Sequence, residues 1–481
     1  MRTSWRVFLT CWIAYCAFWT PYIVREHFPA ITLARSGTLN VQPFLGWIPD
    51  IFESPRDGAF INNNPGASIT GAIPLFLAGP ILNRVEAWNR TLPQPPLQDV
   101  DEGVFRRTVA EDRQYYFLLV VFLTVALVMA PATSATAAYL CSRLMEAGVS
   151  ASAAAIAALL YGLATPVFFR AGLLNQNLLV ADAGFTILLL LWDPMDRPLR
   201  AGRAAIAGLL AGYSVLCDYS GVVVVAVTFL YVGLRRGVRS GEQRPASRIK
   251  LYLAFAAGLA PLVAALWIYQ GWAFGSFYRP SQHFMQPTAP TSHGYRGFDW
   301  PSPALVWANF VDPRFGLFAY CPLLLLGFAA PFVRRVRYRI PSREMIVFFT
   351  YFVLFVLFCA ANQYSWLQPA TGFRYLVPVV PVLTLLALQT AQALPRTLQW
   401  LLALAAFAQS LVIAAAHEND IRLALGTLWQ RHFEFVWAIR LRQAGAPVSW
   451  VWSATAWLLP AVAALILWAK WPRNKRASAD C

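Results

Sequence analysis

The sequence predicts an all-α polytopic membrane protein, and three observations carry that prediction. Of the 481 residues, 58% are hydrophobic and 13% are charged, and soluble domains carry roughly twice that charge share. The mean hydropathy is +0.50, with 19 Trp and 33 Phe supplying the aromatic load of membrane interfaces. The apolar residues are also gathered into discrete runs, the longest of which suffice for a ~30 Å hydrocarbon core.

The runs cover 5–24, 115–140, 151–169, 178–192, 204–216, 221–234, 251–272, 315–333, 345–361, 376–394, 398–416 and 451–468. They predict about 12 transmembrane helices, between about 11 and 13, because Cys217-Asp218-Tyr219-Ser220-Gly221 separates two short runs that could form one broken pair. The first run lacks a small-residue cleavage site and reads as a retained helix. Six of the seven Cys lie in or beside apolar runs and none is paired at a metal-site spacing, so neither a disulfide framework nor a zinc site is expected.

Charge orients the chain. If the odd-numbered connections lie outside, the cytoplasmic segments hold 22 basic and 6 acidic residues, a difference equal to the whole formal charge of +16. This is the positive-inside pattern, with both termini cytoplasmic. The basic clusters at 235–250 and 334–339 then face anionic lipid headgroups, and nucleic acid is not an expected partner.

A single integral-membrane domain over 1–481 is expected. Its outer face would carry one long loop, 25–114, and two further loops, 273–313 and 417–450. No internal repeat marks a transporter built from two halves. Within the first loop, 28–39 has a helix-like apolar pattern. A polar stretch around Asp50, Glu53 and Asp57 follows, ending in Asn62-Asn63-Asn64-Pro65-Gly66. Residues 67–82 are apolar with two prolines, too short for an ordinary span and more suited to an interfacial or re-entrant segment. Residues 83–113 are polar and Pro-rich, as in a loop or short surface helix.

Several groups could carry chemistry. Glu26 sits at the outer end of the first run, where a carboxylate can serve as acid or base, or simply pair with Arg25 at the interface. Asp57 opens a turn-forming stretch whose Asn and Gly residues tolerate left-handed backbone. A helix starting at Ala67 would add an anion-binding N-terminus beside it. Arg374, in Gly372-Phe373-Arg374-Tyr375, combines a guanidinium with the outer start of a helix, which suits a phosphate at the membrane surface or headgroup snorkelling. Asn362, Gln363, Tyr364, Trp366 and Gln368 make the same neighbourhood polar and aromatic, as for a sugar. Asp182 and Asp218 are acids within or between apolar runs and are functional candidates on that ground. The sequence lacks HExxH, P-loop, GxSxG and Rossmann patterns.

Four segments resemble the GT-C superfamily of membrane glycosyltransferases, most closely the bacterial branch related to protein O-mannosyltransferases and aminoarabinose transferases. They are the acid after the first run with Ala34-Arg35-Ser36-Gly37-Thr38-Leu39, GAFINNNPGASITGAIPLFLAG at 58–79, DPRFGLFAYCPLLLLG at 312–327, and GFRYLVPVVPVL at 372–383. Many relatives have an Asp-Glu or Asn-Asp pair where Arg25-Glu26 stands. The resemblance implies a GT-C-like fold in a bacterial inner membrane, with its active site on the periplasmic face. It also implies a polyprenyl-phosphate-linked sugar donor and a glycan, lipid or protein acceptor.

On this reading Glu26 and Asp57 are the candidate catalytic residues. Arg374, Tyr375, His27, Asp50, Asn63, Asn64 and Gln363 are the candidate substrate-binding residues. A single displacement would invert the anomeric centre. No spacing demands a cofactor or metal, although the first-loop acids are where a divalent cation (Mg or Mn) would sit. The competing expectations are a lipid-linked sugar flippase or transporter, and an inactive scaffold of the same fold.

Overall fold

The computed structural model describes residues 2–101, 103–235, 248–366, 374–418 and 420–469. Most of the basic cluster at 235–250, the Gly372-Phe373 part of the fourth motif, Gln368 and the basic tail lie outside them.

The protein is an all-α, multi-pass membrane protein. Among the described residues, six helices are long and apolar enough to cross a membrane, or seven if one bent pair counts as a span, and five shorter apolar helices accompany them. The first helix, α1 (Arg2–Ala17), stops short of Pro21. A proline disfavours helical backbone in the residue before it, and here the chain leaves the helix to bond elsewhere, with Thr20 N–H donating to Gly172 O at 2.8 Å.

The first loop is more ordered than its composition suggests. It holds α2 (His27–Ser36), a two-stranded antiparallel hairpin of β1 (Ile51–Glu53) and β2 (Ala59–Ile61), and the helices α3 (Gly66–Leu77), α4 (Gly79–Asn89) and α5 (Val104–Ala110). The hairpin was not expected. It forms because β2 is buried at all three positions and Ile51 and Phe52 of β1 are buried beside it, with Phe60 packed edge-on against Phe274. α3 and α4 meet at a bend of 79°. Pro74 removes a hydrogen bond inside α3, and Pro80 sits in the first turn of α4, where its missing N–H costs little. Ile73, Phe76, Leu77, Ile81 and Trp88 remain exposed on this pair, as an interfacial element requires.

The bundle continues with α6 (Gln114–Thr124), which passes through a π-helical turn at Val125–Met129 into α7 (Ala130–Glu146), with Pro131 next to the join. The irregular backbone is satisfied from outside, Trp12 Nε1 donating to Ala126 O at 2.8 Å. Next come α8 (Ala151–Leu163), α9 (Val167–Ala171), α10 (Gln176–Leu191), α11 (Ala201–Cys217), α12 (Gly221–Leu234) and α13 (Arg248–Phe274). The two short runs on either side of Asp218 therefore form two separate helices. The second outer loop holds α14 (Pro303–Val311). The run at 315–333 is not one α-helix but α15 (Leu317–Tyr320) followed by a 3-10 helix at Pro322–Phe332, since Pro322 and Pro331 interrupt the α-helical ladder.

The remaining helices are α16 (Arg334–Arg339), α17 (Ser342–Ala361), α18 (Val380–Ala391), α19 (Arg396–Ala416), α20 (Ile421–Gln430), α21 (Val436–Gln443), α22 (Trp450–Ala456) and α23 (Leu458–Ala469). The run at 376–394 begins as a 3-10 turn, Arg374–Val379, before α18. α10 and α18 are almost wholly buried in the centre, whereas α13, α19 and α23 show Leu253, Trp267, Leu401, Leu404 and Leu465 to the outside. In water such apolar faces would be costly; against lipid they are at home.

Candidate active site

Two close backbone approaches build the site. α11 ends at Cys217, and Asp218 takes extended backbone at its C-terminus. Gly221 then starts α12 so near that a Cβ on it would stand 2.3 Å from the Ser214 carbonyl carbon. Gly66, the first residue of α3, approaches the same turn: a Cβ there would lie 2.7 Å from Leu216 O and Cys217 N. Only glycine permits either contact. Asn64 completes the junction, its Nδ2 donating to Val215 O at 2.8 Å and satisfying a carbonyl at the end of α11. The Asn62–Asn64 stretch is thereby brought to the Asp218 turn, about 150 residues later in the chain.

Arg25 is the hub. Its Nε donates to Glu26 Oε1 at 3.1 Å, and its Nη1 donates to Asn62 Oδ1 at 3.0 Å and lies 3.2 Å from Asp50 Oδ2. Asn62 Nδ2 donates in turn to Asp50 Oδ1 at 2.7 Å, and Asn63 Nδ2 to Glu26 Oε1 at 2.6 Å. Burial pulls the Arg25 pKa down, but the Glu26 and Asp50 carboxylates outweigh it and the net shift is upward, so the guanidinium stays charged. Such charge-assisted contacts fix its orientation.

Arg25 forms part of the wall of a cavity of about 340 Å³, within the size range of small-molecule sites. Asn62, Asn63, Asp218, Tyr219, Tyr364 and Tyr375 line it as well. The second outer loop closes over the top with Tyr278, Gln282, Tyr295 and Arg296. That loop is pinned by Ser281 Oγ and Gln282 Nε2, which donate to Asn62 O at 2.8 and 2.7 Å, and by Gln363 N–H, which donates to Gly297 O at 2.8 Å. Arg374 lies over its neighbour's ring, Nη2 donating to Tyr375 Oη at 3.0 Å. The arrangement offers a fixed cation, amide donors, aromatic faces and one carboxylate around a space of sugar size.

The expected site residues separate into groups. Asn63 and Tyr375 line the cavity, Asp50 stands behind Arg25, and Arg374 lies over the Tyr375 ring without lining the cavity itself. Glu26 is 2% exposed and does not line it; its carboxylate holds Arg25 and Asn63. Gln363 contributes its backbone, while its neighbours Asn362 and Tyr364 reach the cavity. Asn64 is a structural tie. His27 points the other way: Val24 N–H donates to its Nδ1 at 3.0 Å, and Nε2 stands 3.1 Å from Thr124 Oγ1 on α6. Burial pushes its pKa down to about 4, so it is neutral. Asp57 is exposed at the hairpin tip and lines none of this cavity.

Sequence reasoning did not find Arg296, Tyr295 or Gln282, which sit in a loop without periodicity or motif. It treated Arg25 as a modifier of Glu26, whereas the geometry reverses the roles.

Glu26 Oε1 and both Asp50 oxygens already face guanidinium or amide N–H groups. Among the described residues, no cluster of three His, Cys, Asp or Glu could hold a metal ion.

No protein-family model matches the chain, and no curated protein does. Among solved structures it is similar to the crystal structure of ArnT from Cupriavidus metallidurans bound to undecaprenyl phosphate. The identity is 16% over 95% of this chain and 75% of that one, with a TM-score of 0.48.

Proposed function

We propose that the chain is a membrane glycosyltransferase that moves a sugar from a polyprenyl-phosphate-linked donor to an acceptor hydroxyl, with inversion at the anomeric carbon. It would reside in a bacterial cytoplasmic membrane with both termini cytoplasmic and the cavity on the periplasmic face, an orientation supported by the distribution of its basic residues.

The observation that carries the reading is the Arg25 guanidinium, held by Glu26, Asp50 and Asn62 on the wall of a tyrosine-lined cavity where the outer loops meet the bundle. Cleaving a sugar–phosphate bond leaves charge on the departing phosphate. A preoriented cation is worth most where that charge develops. Arg374, stacked on Tyr375 of the cavity wall, adds a second guanidinium close by, and the tyrosines offer faces for the sugar. Glu26 and Asp50 then act as positioning residues for Arg25.

The lipid tail also has a place to lie. A cavity of about 760 Å³ runs along α3, α7, α10 and α11, walled by apolar side chains such as Ile73, Leu127, Leu179 and Ile206. It begins beside α3, where Thr70 Oγ1 and Tyr213 Oη are 2.9 Å apart.

The test is incubation of the detergent-purified chain with a panel of radiolabelled polyprenyl-phosphate sugars, beside Arg25→Ala, Arg374→Ala and Glu26→Gln. Release or transfer of label by the wild type, lost in both arginine variants and weakened through KM in Glu26→Gln, supports the reading. A wild type that binds or moves the lipid without ever cleaving it would replace this reading with a transporter or scaffold. Product that keeps the donor's anomeric configuration would remove the inversion.

A further inference from the structure

Inverting transfer needs a group to receive the acceptor's proton, and the cavity wall restricts the choice. Glu26 is turned toward Arg25 and Asn63, away from the open space, and Asp50 is engaged by Arg25 and Asn62. Among the described residues that line the cavity, Asp218 is the one that carries a carboxylate.

Asp218 is also rigidly placed. The N–H of Ser220 donates to its Oδ1 at 2.8 Å, its own N–H donates to Ser214 O at 3.0 Å, and the N–H of Gly221 donates to its carbonyl at 2.9 Å. These bonds, with the glycine contacts at Gly66 and Gly221, leave the turn little freedom.

We propose that Asp218 is the general base of the transfer, a role that rests on the glycosyltransferase reading above. The acceptor hydroxyl gives its proton to the Asp218 carboxylate as its oxygen bonds to the anomeric carbon. The bond from that carbon to the phosphate oxygen breaks, and its electron pair leaves with the polyprenyl phosphate, which Arg25 and Arg374 receive. Asp218 comes from the α11–α12 turn and Arg25 from the end of the first span, and both line the one cavity.

The electrostatics suit the role. Burial pushes the Asp218 carboxyl above its ordinary value, against the pull of the Ser220 hydroxyl and amide and of the Arg25 and Arg374 charges. A raised pKa makes the ionised carboxylate a stronger proton acceptor. Besides Arg25 and Arg374, the titratable groups around it are Tyr219 and Cys217 on its own turn, Tyr375 and Cys359 from the facing elements, and Arg296 on the cavity wall.

The experiment compares wild type, Asp218→Asn, Asp218→Glu and Glu26→Gln in full-length, detergent-purified form. Label transfer from the active donor and donor binding are both followed against pH. The expected result for Asp218→Asn is a loss of kcat of about 10²- to 10⁴-fold with donor binding kept. The limb along which wild-type rate falls as pH drops should disappear in that variant. Asp218→Glu, which keeps a carboxylate, should restore part of the rate with its acid limb displaced, and it decides the matter if the Asn variant does not fold.

Asp218→Asn with wild-type kcat, or an Asp218→Glu profile superimposable on wild type, overturns the assignment. So does loss of the acid limb in Glu26→Gln instead, which would make Glu26 the base. If the wild type transfers nothing from any donor, the glycosyltransferase reading itself falls, and the Asp218 assignment falls with it.

Discussion

The two ends of the bundle both bury arginines beside carboxylates, yet they use them differently. At the end remote from the first loop, Arg235 sits between Asp196 and Glu344, with its Nη1 3.0 Å from Asp196 Oδ1, and Arg343 bridges the same two acids at 3.0 and 2.6 Å. Tyr231 Oη donates to Glu344 Oε1 at 3.2 Å, and Arg235 Nη2 caps Arg197 O at 2.8 Å. Cations and acids close on one another and tie α12 to α17 and to the segment after α10. At the loop end, Glu26, Asp50 and Asn62 hold Arg25 from behind while the cavity stands in front of it. The lesson is that a buried ion pair reads as chemistry only where it borders space for a ligand. Elsewhere it is an anchor.

The comparison can be broken by mutation. Arg25→Ala is expected to lower transfer by roughly 10²- to 10³-fold, the usual loss on removing one preoriented donor to developing charge, as read by release of label per folded molecule. Arg235→Ala should do the opposite. It should leave transfer per folded molecule within about twofold, and cost about 1–3 kcal/mol of stability by removing the charged hydrogen bond to Arg197 O, since Arg343 still pairs both acids, as read by thermal unfolding in detergent. Equal effects of the two variants on turnover would erase the distinction.

Acid sharpens the same contrast. Burial holds the folded-state pKa of His27 and His417 at about 4, against an ordinary value of 6.5. Both are neutral in the folded protein, so below pH 6.5 the unfolded chain binds protons first. Stability is therefore full above pH 6.5 and declines as pH falls toward 4, by up to about 3 kcal/mol for each histidine. His27→Gln should flatten its share of that decline, measured as the difference between variant and wild-type melting temperatures across the window. The smallest effect is expected at Asp57. It is exposed at the hairpin tip, so Asp57→Asn should change stability by less than about 0.5 kcal/mol and leave label transfer unaltered; a large loss of transfer would return Asp57 to the active site.

The apolar runs were legible because a membrane span must satisfy its own backbone and present lipid-compatible side chains, and both demands are written locally. Breaks at Pro21, Pro74 and Pro322 are equally local. Glu26 and Arg374 could be singled out because each is an ionisable group at the end of an apolar run, and Asp50 because it lies in the polar stretch of the first loop. Their partnerships could not. Whether Glu26 faces the cavity or Arg25 depends on where Asn62 and Asn63 come to rest, and that depends on Gly66 packing against residues 216 and 217.

By itself, then, the sequence determined the all-α membrane class and where most of the apolar helices fall, since hydropathy and helix breaking act over a few neighbouring residues. The tertiary structure alone decided that Arg25 fronts the cavity, that His27 turns inward to Thr124, and that Asp218 joins loop residues some 150 positions earlier. Such choices are set by close packing between distant segments, where a single missing Cβ lets two backbones touch, and no local pattern records which segments will meet.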